Sequence, residues 1–253
     1  MFPAERRRKI AQFVNEQGGM SIPALSEVFK VSEMTIHRDL SVLEEMGLLR
    51  KTWGGALKSE HHLLPVDYQA RLLSYQEEKD AIGREAAKSV KDGETIFLDA
   101  GTTSLSVAKH LQGFNHLIVY TNGPLVVLEL AKIPDVDIFC TGGMLSKQTM
   151  AYVGPQAENA LSQLRPDKCF IGAGGFTIRD GVMDPLPLEA SIKRKIVEVS
   201  QEVYLVVAPD KFGRVSQHVS APLEAIDVVI MHKDTPEQYC SELTARNIRC
   251  IIA

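Results

Sequence analysis

The chain has 253 residues, 45% of them apolar, and a net charge of −4, ample for packed cores and enough for about two domains. No stretch approaches the ~20 apolar residues a bilayer span needs, and the N-terminus lacks the apolar run of a signal peptide. Charge is unevenly spread. Residues 1–58 hold nine Lys or Arg against seven Asp or Glu, whereas the remainder holds nineteen against twenty-five, so a mildly basic head precedes an acidic body.

In chain order, Pro3 to Gln17 reads as a helix with Ile10, Phe13 and Val14 inward and Arg6, Arg7, Arg8 and Lys9 at its start. Ser21 to Phe29 is a second short helix, and Lys30-Val31 turns into Ser32, a good N-cap for a third. Ile36, Leu40, Leu43 and Met46 recur at steps of four and three and give the third helix a buried stripe. Thr35, His37, Arg38 and Ser41 therefore form a polar face that carries a cation. Ordinary surface helices also look like this, but the order helix, helix, turn, helix is that of a helix-turn-helix DNA reader.

Gly47 is placed to end the third helix in a left-handed conformation. Residues 48–57, Leu-Leu-Arg-Lys-Thr-Trp-Gly-Gly-Ala-Leu, then predict two short strands around a glycine turn, the winged variant. Arg50 and Lys51 bring charge to that hairpin, and Gly54-Gly55 allow close approach to a phosphate backbone. Trp53, the sole tryptophan, either stacks at the tip or packs the wing onto the third helix.

A linker is expected over 59–74. Its adjacent His61 and His62 lack a second nearby ligand pair, which favours a solvated segment over a metal site. Ser74-Tyr75-Gln76-Glu77 has the capping-box form and predicts a helix running through Ile82, Ala86 and Val90 until Gly93. Cys140, Cys169, Cys240 and Cys250 are widely spaced in apolar surroundings and read as reduced, buried thiols of a cytoplasmic protein.

Seven apolar runs follow: Thr95–Leu98, Leu117–Tyr120, Val136–Cys140, Lys168–Ile171, Val203–Val207, Val228–Met231 and Ile248–Ile252. They alternate with helical stretches, so residues 75–253 are expected to form an α/β domain with a mostly parallel sheet. Ligands in such sheets sit beyond the carboxyl ends of the strands. The residues at those places are polar and glycine-rich: Asp99, Gly101, Thr102 and Thr103; Thr121 and Asn122; Gly142 and Gly143; Gly172; and Lys211. Backbone amides and hydroxyls at Gly101-Thr102-Thr103 suit an anion, Lys211 and Lys193 would neutralise a phosphate, and Asp99 would accept from hydroxyls. A phosphorylated polyol meets both demands. The alternative is that Asp99 merely caps its helix and Lys211 pairs with Asp210.

The chain resembles the DeoR-type, glycerol-phosphate-repressor-like regulators over nearly its full length. In the head the likeness rests on Val31-Ser32, Thr35-Ile36, Arg38-Asp39-Leu40 and Gly54-Gly55-Ala56. In the body it rests on Glu78-Lys79, Asp99, Gly101-Thr102-Thr103, Gly142-Gly143, Glu189, Lys193 and Lys211-Phe212-Gly213. The resemblance implies a repressor of a carbohydrate-metabolism operon, a winged helix-turn-helix over 1–58, and a body like ribose-5-phosphate isomerase that senses a phosphorylated sugar. It also implies a homo-oligomer, dimer or tetramer, on double-stranded DNA, with no cofactor, metal or membrane. Expected DNA contacts are Arg7, Ser32, Thr35, His37, Arg38, Ser41, Lys51, Trp53 and Gly54. Glu189 joins the effector set.

Two departures stand out. The family has two successive arginines where this chain has His37-Arg38, which replaces a cation by a largely neutral ring. The positions resembling the isomerases' carboxylates are Ile171, Gly174 and Arg194, and none of these can abstract a sugar proton. Binding without turnover is therefore expected, with Glu189 the one acid left nearby.

Overall fold

The computed structural model describes residues 3–45, 48–58 and 68–253, which fall into two compact units, Met1–Ser74 and Tyr75–Ala253. The expectations at Met46, Gly47, His61 and His62 lie outside the described residues.

The first unit opens with helices α1 (Pro3–Gln17), α2 (Ile22–Phe29) and α3 (Glu33–Glu45) and strands β1 (Gly19–Ser21), β2 (Leu49–Thr52) and β3 (Gly55–Lys58). The strands pair antiparallel in the order β1-β3-β2. The apolar stripes predict the core: Ile10, Val14, Leu25, Ile36, Leu40, Leu43 and Leu49 are buried together. Ser21 caps α2 by accepting from the Ala24 amide at 3.3 Å, and Lys30 closes it in the left-handed region (φ 52°). Strand β1 was not foreseen; it fits because Gly55 has no side chain, and a Cβ there would lie 2.1 Å from the Met20 carbonyl oxygen.

Part of the expected linker is helical. Residues Tyr68–Leu73 form α4, with Tyr68 and Ala70 buried. The capping box does not form: Ser74 Oγ donates back to Ala70 O at 2.9 Å, and Tyr75, in the left-handed region, is the N-cap of α5 (Gln76–Ala87) without a side-chain bond. The preceding helix supplies the competing acceptor that claims the serine.

The second unit continues with β4 (Thr95–Leu98), α6 (Thr102–Lys109), β5 (Leu117–Thr121), α7 (Pro124–Leu130), β6 (Val136–Cys140), β7 (Met144–Ser146), β8 (Ala151–Val153) and α8 (Pro155–Ser162). It ends with β9 (Lys168–Ile171), β10 (Gly175–Thr177), β11 (Gly181–Asp184), α9 (Pro187–Val199), β12 (Glu202–Val207), β13 (His218–Ala221), β14 (Val228–Met231), α10 (Glu237–Thr244) and β15 (Arg249–Ile252). Seven strands make one sheet in the order β15-β14-β12-β9-β4-β5-β6, and every pairing in it is parallel. The chain proceeds outward from β4 through β5 and β6, then returns to β9 on β4's other side, so the topological switch point lies between β4 and β9. Two small antiparallel sheets, β10-β11-β13 and β7-β8, are additions to this plan.

Helices α5 and α6 cross with backbones in contact, which needs Gly83: a Cβ there would stand 2.5 Å from the Ser106 carbonyl carbon. Among the cysteines only Cys169 is buried; Cys140 is exposed and Cys250 partly covered because β6 and β15 are edge strands, and Cys240, on α10, is also partly covered. Among the described residues no helix is long and apolar enough to cross a membrane.

Candidate functional site

The first candidate surface belongs to α3 and the β2–β3 wing. Ser32 caps α3, accepting from the Thr35 amide at 3.3 Å while its hydroxyl and that of Thr35 lie 2.9 Å apart. Both hydroxyls are thus held at the helix start. Arg38 is exposed and His37 half-buried. Ser41 Oγ donates to the His37 carbonyl and receives Lys51 Nζ at 2.9 Å, while the Lys51 amide donates to Glu44 at 2.8 Å. Lys51 therefore ties the wing to α3, so helix and hairpin form one surface.

Arg7 is less free than expected. Its Nε pairs at 3.2 Å with Asp39, which Arg6 also contacts at 2.6 Å, and Asp39 is buried. Two cations on α1 thus clamp the inner side of α3 and set the angle of its outer face. Trp53 does not pack the wing onto α3; it is fully exposed (102%), as is most of Met34 (71%). Met34 escaped the sequence reading because one methionine in a polar helical turn carries no periodic signal.

The second candidate site lies at the carboxyl edge of the seven-stranded sheet, across the switch point. Asp99 follows β4 and accepts from the Gly172 amide at 3.2 Å, and Gly172 follows β9. Behind them Lys193, from α9, donates to Gly172 O at 2.9 Å and to both Asp184 oxygens at 2.8 and 2.9 Å, with Asp99 Oδ2 at 3.4 Å. Ser220 Oγ also donates to Asp184. All four side chains are buried. Burial alone would lower the Lys193 ammonium's pKa, but the charges of Asp184 and Asp99 and the bond to Asp184 overcome this and raise it above the ordinary lysine value.

This corrects the expectation for Lys193. Its N–H groups are spent on Gly172 and the two aspartates, so it fixes Asp99 in place rather than offering itself to a phosphate. Glu189, one turn earlier on α9, adds its charge to the same network. Thr121 and Asn122 are likewise structural. Thr121 Oγ1 accepts from the Gly123 amide, while the Asn122 side chain accepts from the Ala100 amide at 3.1 Å and donates to Tyr152 O at 3.2 Å. They stitch the loop after β4 to β5 and β8. Gly142 and Gly143 take positive φ, and Gly143 packs against the Val153 carbonyl and Ala157.

What remains open toward the edge is the start of α6. Its N-cap is Gly101, without a side-chain bond, and the amides of Thr102, Thr103 and Ser104 have no acceptor among the described residues. Ser104 Oγ is buried and makes no hydrogen bond. In the loop after β12, Lys211 pairs with Asp210 at 2.5 Å. Burial would raise the Asp210 carboxyl, but Lys211, then Lys79 from α5 and Arg214, hold it below the ordinary aspartate value. Asp210 Oδ1 is buried and unbonded. The Lys211–Asp210 pair is the alternative that the sequence left open, and Lys79 entered there only through the family likeness; Ser104, Asp184 and Arg214 were not anticipated. Asp184 lies on β11, which no sequence run announces.

Residues 74–233 match the family described as DeoR C terminal sensor domain, and residues 6–61 match the DeoR-like helix-turn-helix domain. The chain belongs to the DeoR family. Its DeoR-family relatives include the HTH-type transcriptional regulator GolR of Listeria innocua, 36% identical with 91% of each chain covered. Another is the transcriptional repressor AccR of Agrobacterium fabrum, 34% identical over 91% of this chain and 90% of that one. Among solved structures, a D-ribose-5-phosphate isomerase in complex with phospho-erythronic acid aligns over 54% of both chains, with 16% identity and a TM-score of 0.41. As a DeoR-family member the chain is a DNA-binding transcriptional regulator, its reader in the first unit and its sensor in the second.

Proposed function

We propose that this regulator represses a carbohydrate-metabolism operon and that a phosphorylated sugar, bound without turnover at the carboxyl edge of the sheet, changes its affinity for the operator. The observation that carries the effector reading is the pair of buried, unbonded polar atoms, Ser104 Oγ in the first turn of α6, just after β4, and Asp210 Oδ1 in the loop after β12. Only β9 separates those strands, so the loops are about 10 Å apart across the sheet. A small phosphorylated polyol spans that distance. The amides of Thr102, Thr103 and Ser104 suit its anionic end, with the cations around Asp210 completing the charge balance. Asp99 and Asp210 accept from its hydroxyls. Absence of turnover is supported by Arg194, which holds the Val219 carbonyl at 2.6 Å and offers no base.

On DNA, two or more copies present their heads to paired half-sites. Arg38, Met34 and Thr35 face base edges in the major groove, with Lys51 and Arg50 of the wing on the backbone. A 100-fold change in operator affinity requires roughly 2.7 kcal/mol of difference between effector affinities for the free and DNA-bound arrangements. The test is an operator-binding assay with a panel of pentose, hexose and triose phosphates, alongside a turnover assay on the same compounds. Lys211→Ala should bind operator normally and lose the response. A normal response would move the site elsewhere, and rapid conversion of any compound would overturn the sensor reading.

A further inference from the structure

Trp53 is the largest apolar side chain on the surface of the described residues, and it is fully exposed. The turn that carries it is held firmly. The Ile22 amide donates to the Gly54 carbonyl at 2.9 Å, and Gly55 is wedged against Met20 and Ser21 of β1. The backbone under the indole is thus fixed from the α2 side, while Lys51, two residues earlier on β2, is fixed to α3 through Ser41 and Glu44. A solvent-exposed tryptophan on a braced tip contributes nothing to the core, so its use lies with a partner.

The surroundings identify that partner. From residue 49 to 58 the wing carries Arg50, Lys51 and Lys58 and no acidic residue, which complements a polyanion. Lys51 is bonded to Ser41 of α3, and Trp53 stands two residues, about 7 Å of strand, further along the hairpin. A helix lying in the major groove has a minor groove on either side of it, and the wing is tied to the flank of α3. Resting on the reading of the first unit as the DNA reader, we infer that the Trp53 indole is a minor-groove wedge. It presses between base edges beside each half-site and favours steps that open or unstack easily. It thereby adds sequence preference at positions α3 never touches.

Because Trp53 is the only tryptophan, intrinsic fluorescence reads this residue alone. The experiment uses the full chain and duplexes it selects from a random-sequence pool. Wild type should show a blue-shifted or quenched emission on binding. Trp53→Ala should keep its thermal stability and its major-groove footprint yet bind about tenfold more weakly, with Trp53→Phe in between. Replacing guanine by inosine beside the half-site removes a minor-groove amino group and leaves the major-groove pattern intact; it should alter wild-type affinity and leave Trp53→Ala unmoved. Binding with unchanged emission, or equal affinity and equal inosine response in both proteins, overturns the wedge while leaving the reader in place. If wild type selects no duplex and Arg38→Ala changes nothing, the reader itself is wrong and the wedge falls with it.

Discussion

The two units place charge in opposite ways. In the head the buried charges clamp helices together, Asp39 between Arg6 and Arg7, while the groups proposed to meet the partner, Arg38 and Trp53, stand outside that clamp in solvent. In the body the candidate ligand-facing carboxylate Asp99 is itself a member of the buried network with Lys193 and Asp184. Recognition and stability are therefore separable in the head and fused in the body. The reason is the size of the ligand proposed for each. A duplex is read by a convex surface, which leaves its side chains wet, whereas a small metabolite must be surrounded.

The largest test of that contrast is Lys193→Met. It leaves Asp99 and Asp184 as buried carboxylates without their cation and should cost about 3–5 kcal/mol of stability, measured by denaturant unfolding of the second unit. Because its pKa is raised, the Lys193 contribution is fully present below the ordinary lysine pKa and is lost only as pH rises through the higher folded value. The penalty of the variant should therefore be undiminished at neutral pH. A loss below ~1 kcal/mol would mean that the network is solvated and the fusion unreal.

Arg38→Ala probes the other side. It should weaken operator binding by about 1–3 kcal/mol and relax preference at one base pair, while stability moves by no more than ~0.5 kcal/mol. An unchanged footprint with altered stability would reverse the comparison, making Arg38 a structural residue and the head no more separable than the body.

The parts legible from sequence follow the same division. Strands β4, β9 and β14 coincide with the apolar runs read for them, because a parallel strand covered on both faces is apolar nearly throughout; β6 also matches its run, although as an edge strand it is largely exposed. Strands β1, β7, β8, β10, β11 and β13 are short antiparallel pieces of three or four residues, too brief for a period. Asp99 and the Gly101-Thr102-Thr103 turn were legible because they directly follow such a run. Asp184 was hidden with β11, and with it the partner that claims Lys193. Likewise a tryptophan beside two glycines reads as a turn, but whether its ring folds back or stands free depends on the space around the tip. Ser74 carried the capping signature, yet α4 provided a nearer acceptor.

The smallest predicted effect separates burial from position in the chain. Asp80 of α5 lies on the body's surface, its side chain 43% exposed, paired with Arg84 at 2.6 Å and His110 of α6 at 2.9 Å. Burial tends to raise its pKa, but hydrogen bonds and charge from His110 and Arg84 outweigh that and lower it. A depressed folded pKa gives stability that is present above the ordinary carboxylate value and is lost as pH falls through the folded one. Wild type should therefore exceed Asp80→Asn by a few tenths of a kcal/mol, under ~1, at pH 7, and the gap should close in the acid range, followed by thermal unfolding at stepped pH. If the gap matches that of Lys193→Met, charge in the body is costly to remove wherever it sits. If it is small, as the exposure of Asp80 requires, then enclosure around the ligand, rather than membership of the second unit, is what binds recognition to stability.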